Sequence, residues 1–128
     1  MAGGLTADTP HLPSTAQIDA YGNDGFRFAG MSHRGSLLCL PDGIWAWPVK
    51  DVTELTFAVL EPVFARGEAL DMFLIGAGRD PWPLPKRLRA RFRELTISVD
   101  TMPTGAAVRT YNILLAEDRR VGAGLISV

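Results

Sequence analysis

The sequence predicts an α/β fold in which helices pack on a central mixed sheet, preceded by an antiparallel β-rich portion. Three observations lead there. The first third of the chain alternates apolar and polar residues between turn signals, as half-buried antiparallel strands do. Helical spacing then takes over at residues 52–64, 84–95 and 104–116. Between the first two lies Met72-Phe73-Leu74-Ile75, a continuous apolar run suited to a strand covered on both faces.

Each element has its own signal. Gly3, Gly4, Pro10 and Pro13 predict a flexible tail over residues 1–14, with one domain over residues 15–128. Residues 17–21 alternate, with Ile18 and Ala20 on one face. Gly22-Asn23-Asp24-Gly25 is a turn, and Phe26-Arg27-Phe28 alternates again. Residues 34–40 and 44–47 form two more strands around Pro41-Asp42-Gly43. Residues 52–64 place Leu55, Val59, Leu60 and Phe64 near one helical face, with Thr53 as the N-cap and Pro62 as an end or a bend. The apolar run ends at Gly76-Ala77-Gly78. Leu84, Leu88, Phe92 and Leu95 then make one helical stripe. Residues 97–99 read as a short strand, Thr104 caps a helix to about residue 116, and residues 120–128 close the chain as a strand. Strands followed by α-β-α-β-α-β is the order of a sheet with helical crossovers.

Composition removes several function classes. The 128 residues carry 13 basic and 14 acidic side chains, so no general attraction to nucleic acid or anionic membrane follows. A single cysteine, Cys39, excludes an intrachain disulfide and, with only His11 and His33 beside it, the common zinc sets. Cys39 lies in an apolar run and reads as a small buried hydrophobe. Its lone thiol suits a reducing, cytoplasmic setting. No stretch reaches the roughly 18–20 apolar residues that would span a bilayer, and the N-terminus reads as neither a signal nor a transit peptide.

No Gly-x-Ser-x-Gly elbow, His-Glu-x-x-His or phosphate-loop motif is present, and the sequence implies no catalytic residue, metal or cofactor. Gly76 and Gly78 follow a buried strand, as either a structural turn or the lining of a ligand site. Asp100 ends a strand, where functional groups gather in α/β sheets. On a helix opened by small residues after Thr104, Arg109 and Asn112 share one face while Val108 and Tyr111 share the other. Such a helix start attracts anions, and Arg109 adds a planar donor fork. Arg109 therefore either pairs with Asp100, Glu117 or Asp118, or lines an anion pocket. That pocket would comprise Gly76, Gly78, Asp100, Met102, Thr104, Arg109, Thr110, Tyr111 and Asn112. Five cations between Lys86 and Arg93 flank an apolar stripe as a solvated face or, through Arg89 and Arg93, as a contact for an acidic protein. Trp45 and Trp47 share one strand face, as core or as a partner surface.

The chain resembles the family grouped as domain of unknown function 498. The resemblance covers roughly residues 17–128. It rests on Gly25-Phe26, Trp47-Pro48, Leu74-Ile75-Gly76-x-Gly78, Met102-x-Thr104-x-x-Ala107-x-Arg109-Thr110-Tyr111-Asn112 and Glu117-x-Arg119 with Val121. The chain departs at Pro103, where the family usually has an acidic or small polar residue, and at Ala77, where threonine is common. The resemblance implies a three-layer domain around a mixed sheet of about five strands, with no established reaction. Its mitochondrial members, related to assembly factor 3 of respiratory complex I, bind other proteins. The expectation is thus a bacterial-type, non-enzymatic protein-binding or assembly protein. It would have an unidentified protein partner and no nucleic acid, and a homodimer stays open. The alternative is a small enzyme or anion-binding protein using the pocket above.

Overall fold

The computed structural model describes residues 11–128. Eight strands and three α-helices follow in the order β1 (Ile18–Gly22), β2 (Gly25–Phe28), β3 (Met31–Arg34), β4 (Ser36–Leu40), β5 (Gly43–Trp47), α1 (Phe57–Phe64), β6 (Met72–Gly76), α2 (Lys86–Glu94), β7 (Ser98–Met102), α3 (Thr104–Ala116) and β8 (Val121–Leu125). The first three strands form a small antiparallel sheet. The other five form a mixed sheet in the order β5-β4-β8-β6-β7. Strand β6 is parallel to both β7 and β8, whereas β4 is antiparallel to β8 and β5. The expected α/β class and five-stranded mixed sheet are present.

Side-chain alternation sends the two faces of the sheet to two cores. Phe73 and Ile75 of β6 join Leu60, Val63 and Phe64 of α1 and Leu88 and Phe92 of α2. Leu74 points the other way, with Ala107, Val108 and Tyr111 of α3 and Ile18, Phe26 and Phe28 of the small sheet. A strand whose successive residues both meet apolar cover reads as an unbroken apolar run, which is what residues 72–75 are.

Several boundaries differ from expectation. Residues 34–40 are two strands, because Gly35 adopts φ +96° and turns the chain from the small sheet into the large one. Asp51 and Thr56 supply the caps instead of Thr53. Asp51 opens a short 3-10 turn at Val52–Glu54, and the Thr56 hydroxyl accepts from Val59 N–H at the start of α1. Pro62 lies inside α1. It removes only one bond, to Ala58, and the burial of Leu60, Val63 and Phe64 outweighs that loss. Residues 1–10 of the expected tail lie outside the described residues. His11 and Leu12, also assigned to that tail, bond instead to β5: His11 N–H to Ile44 O at 2.7 Å and Ile44 N–H to Leu12 O at 2.9 Å.

Candidate functional site

The glycine loop and the start of α3 do come together, as a seam of internal hydrogen bonds. Gly76 passes so close to α3 that an added Cβ would lie 3.1 Å from Thr104 Cα and 3.2 Å from Ala107 Cβ. Thr104 is fully buried. Its hydroxyl donates to Ile126 O at 2.7 Å and accepts from Gly78 N–H at 3.0 Å, while Thr104 N–H donates to Gly78 O at 2.8 Å. Ala77 N–H donates to Met102 O at 2.8 Å, and Ile126 N–H to Gly76 O at 2.9 Å. The ends of β6, β7 and β8 and the first turn of α3 are thereby tied at one point. Tyr21 lies against Gly105 so closely that a Cβ there would overlap the Tyr21 hydroxyl.

The remaining members of the expected pocket disperse around α3. Tyr111 is fully buried; its hydroxyl finds no nitrogen or oxygen partner among the described residues and lies against the Cys39 thiol. Burial pushes the Cys39 thiol up to about 12 and the Tyr111 phenol further above its usual range, so both stay neutral. Asn112 faces the small sheet. Its Oδ1 accepts from Ile18 N–H at 2.8 Å, and its Nδ2 donates to Ile18 O at 2.9 Å. This amide completes both backbone groups of β1 at that point, as a neighbouring strand would. An asparagine in a helix interior, where its propensity is poor, was the available signal for that latch. Met102 packs against the α3-side core and Thr110 is half-buried. Asp100 and Arg109 are exposed, and neither makes an ion pair among the described residues. The stretch 109–112 lines neither the cleft at Gly78 nor those at Trp45 and Arg89.

The aromatic and cationic candidates occupy opposite edges of the five-stranded sheet. Trp45 and Trp47 turn toward α1, with Trp47 buried and Trp45 half-exposed. Together with Leu38, Leu40, Val59 and Pro62 they line a groove of about 620 Å³. The Arg66 guanidinium lies 5.0 Å from the Trp45 ring centroid and donates to both Asp42 oxygens, at 2.7 and 3.0 Å. It lines the groove, and its charge is already matched there. Alternation along β5 turns Ala46 N–H and C=O outward, as at Ile44, and no described residue bonds them. Four strand spacings away, roughly 19 Å, Arg89 and Arg93 stand beside β7. One contact surface using both sets would therefore have to span the sheet.

Two histidines meet where the N-terminal segment joins the small sheet. The His11 and His33 rings stand edge to face at 4.5 Å, and His33 Nε2 lies 3.1 Å from Ser36 O. Burial lowers both pKa values below 6.5, and the neighbouring ring adds to the lowering at His11. The unfolded chain therefore binds more protons between the folded and unfolded values. Stability is complete above pH 6.5 and falls as the pH drops through the folded values. A melting series should stay level above about pH 7 and decline as the pH falls below about 6.5. His11→Gln with His33→Gln should flatten that decline; an unchanged slope would assign it to the carboxylates.

Among the described residues no group of three histidine, cysteine or acidic side chains is placed to hold a metal, and no helix is long and apolar enough to cross a membrane. The family model described as Protein of unknown function (DUF498/DUF598) matches residues 18–126, the whole of the ordered core just described. The chain belongs to this family. Among DUF498/DUF598 relatives, an uncharacterized protein of Rhodobacter capsulatus is 37% identical over 91% of this chain and 89% of its own length. The NADH dehydrogenase [ubiquinone] 1 alpha subcomplex assembly factor 3 of Drosophila melanogaster is 29% identical over 85% of this chain, which spans 57% of that protein. A solved structure from Bartonella henselae, named an outer membrane protein, is 49% identical. It superposes with a TM-score of 0.88 over 92% of this chain and 99% of its own.

Proposed function

We propose that this DUF498/DUF598 protein is a non-enzymatic, bacterial-type assembly protein that holds a protein partner in the groove between β5 and α1. The observation that carries this reading is the groove itself. Two indoles, two prolines and three larger aliphatic side chains line it. Aromatic anchors in a desolvated pocket are where binding energy concentrates in protein interfaces. The insect relative is named an assembly factor, which supports the same class of role. The lone buried Cys39 favours a reducing, cytoplasmic setting for that work.

An anion-binding or enzymatic role at the glycine loop has less support. The polar groups of Thr104 and Asn112 are committed to backbone, and Tyr111 is out of reach of solvent. A thermal-shift screen against small anions, with Arg109→Ala alongside, would revive it if a ligand stabilised the wild type alone.

The groove reading is tested with Trp45→Glu. Trp45 is only half-buried, so the variant should stay folded, checked by its circular dichroism. Protein recovered under mild conditions with the wild type should be lost with the variant, by roughly 30-fold in affinity for an anchor worth about 2 kcal/mol. Equal recovery by both proteins would refute the groove.

A further inference from the structure

The five-stranded sheet ends on β7, and among the described residues no strand pairs with its outer side. Ser98 N–H donates to Asp71 O at 2.9 Å, and Met102 O accepts from Ala77 N–H at 2.8 Å. In a parallel ladder, alternate residues turn both backbone groups to the same neighbour. Ser98, Asp100 and Met102 therefore face β6. Val99 and Thr101 turn N–H and C=O outward, where no described residue bonds them. Such an edge is a template for another strand.

On the α2 face of this edge the charge is positive. Arg89 and Arg93 line a cleft of about 390 Å³ with Ile97 and Val99. Both are exposed and have no ion pair among the described residues. Their helix neighbours are occupied: Arg87 lies over Phe57 at 5.9 Å, and Arg91 lies over Phe64 at 5.6 Å and pairs with Glu94 at 3.2 Å.

We propose that the β7 edge takes up an extended acidic segment of a partner protein as an added strand, with its acidic side chains against Arg89 and Arg93. The alternation of the sheet specifies the pattern. Val99 packs toward the α1–α2 core, so the added residue opposite it shares that face and meets the two arginines. The added residue opposite Asp100 lies on the other face and is not acidic. The segment thus carries an acidic residue at every second position, with uncharged residues between. A second copy of this chain fits poorly. The register that joins both open residues places Asp100 opposite its own copy, and like charges directly opposite destabilise a pair. The inference stands apart from the Trp45 groove, which lies at the other edge; each can fail alone.

The test uses the full chain labelled with nitrogen-15 and two short synthetic peptides, one of alternating glutamate and valine, the other of alternating lysine and valine. The glutamate peptide should bind and slow amide exchange at Val99 and Thr101 by at least about tenfold. Arg89→Glu with Arg93→Glu changes only exposed side chains. It should weaken that peptide roughly tenfold and confer binding of the lysine peptide. Equal binding of both peptides, protection at Ala46 instead of Val99, or no binding at millimolar peptide would each overturn the proposal. So would protection of Val99 and Thr101 that rises with protein concentration alone, which would assign the edge to a second copy.

Discussion

Thr104→Val should be among the most damaging single substitutions in the chain, because it changes shape very little and removes a doubly used hydroxyl. The side chain is fully buried, so no water replaces it. Gly78 N–H and Ile126 C=O would each lose a partner inside the protein. A buried group left unsatisfied costs about 1–3 kcal/mol, so the pair costs about 2–6 kcal/mol. Against a total stability of about 5–15 kcal/mol, that is a large fraction. The melting temperature should fall on the order of 10 °C. Thr104→Ser keeps the hydroxyl and should recover most of the loss. Tyr111→Phe is the contrasting case: its hydroxyl meets only the Cys39 thiol, and its removal should change stability by less than about 1 kcal/mol. Urea titrations of the three variants check this. A Thr104→Val protein as stable as the wild type would mean that the seam between the glycine loop and α3 does not hold the sheet ends together.

The seam also explains which parts of the fold were legible from sequence. Residues 72–75 announced a strand covered on both faces, and α3 announced its apolar side through Val108 and Tyr111, because burial there follows local periodicity. Helix spacing alone also groups Tyr111 with Thr104, Arg109 and Asn112 as a pocket. Helix spacing correctly put Asn112 and Arg109 off the Tyr111 face. It carried no information that β1 would run alongside and take both polar groups of Asn112. That contact joins positions far apart in the chain. The division of residues 34–40 into β3 and β4 depended on one glycine conformation, at Gly35. The separation of the tryptophans from the arginines depended on the strand order β5-β4-β8-β6-β7. Strand order is set by long-range pairing, and turn signals or alternation encode only neighbours in sequence.

Phe92→Ala should cost about 3–5 kcal/mol, the usual range for emptying a buried aromatic site. Phe92 is fully buried, stands edge to face against Phe64 at 5.0 Å, and stacks on Phe73 at 5.8 Å with 15° between planes. It thus joins α2 to α1 and to the sheet. The surroundings are fixed on two sides by rings, so the cavity cannot close by a small shift. The consequence reaches the surface. Helix α2 spans Lys86–Glu94 and buries only Leu88 and Phe92; a helix this short is marginal in water without tertiary packing. With Phe92 gone, Leu88 alone retains α2, and Arg89 and Arg93 lose their fixed position beside β7. Amide exchange in α2 should then quicken by far more than in α3, whose own grip through Ala107, Val108 and Tyr111 lies on the opposite face. Uniform quickening across both helices would instead mean that the two faces of the sheet unfold as one unit. In that case the arginine edge could not be loosened separately, and Phe92 would act on global stability alone.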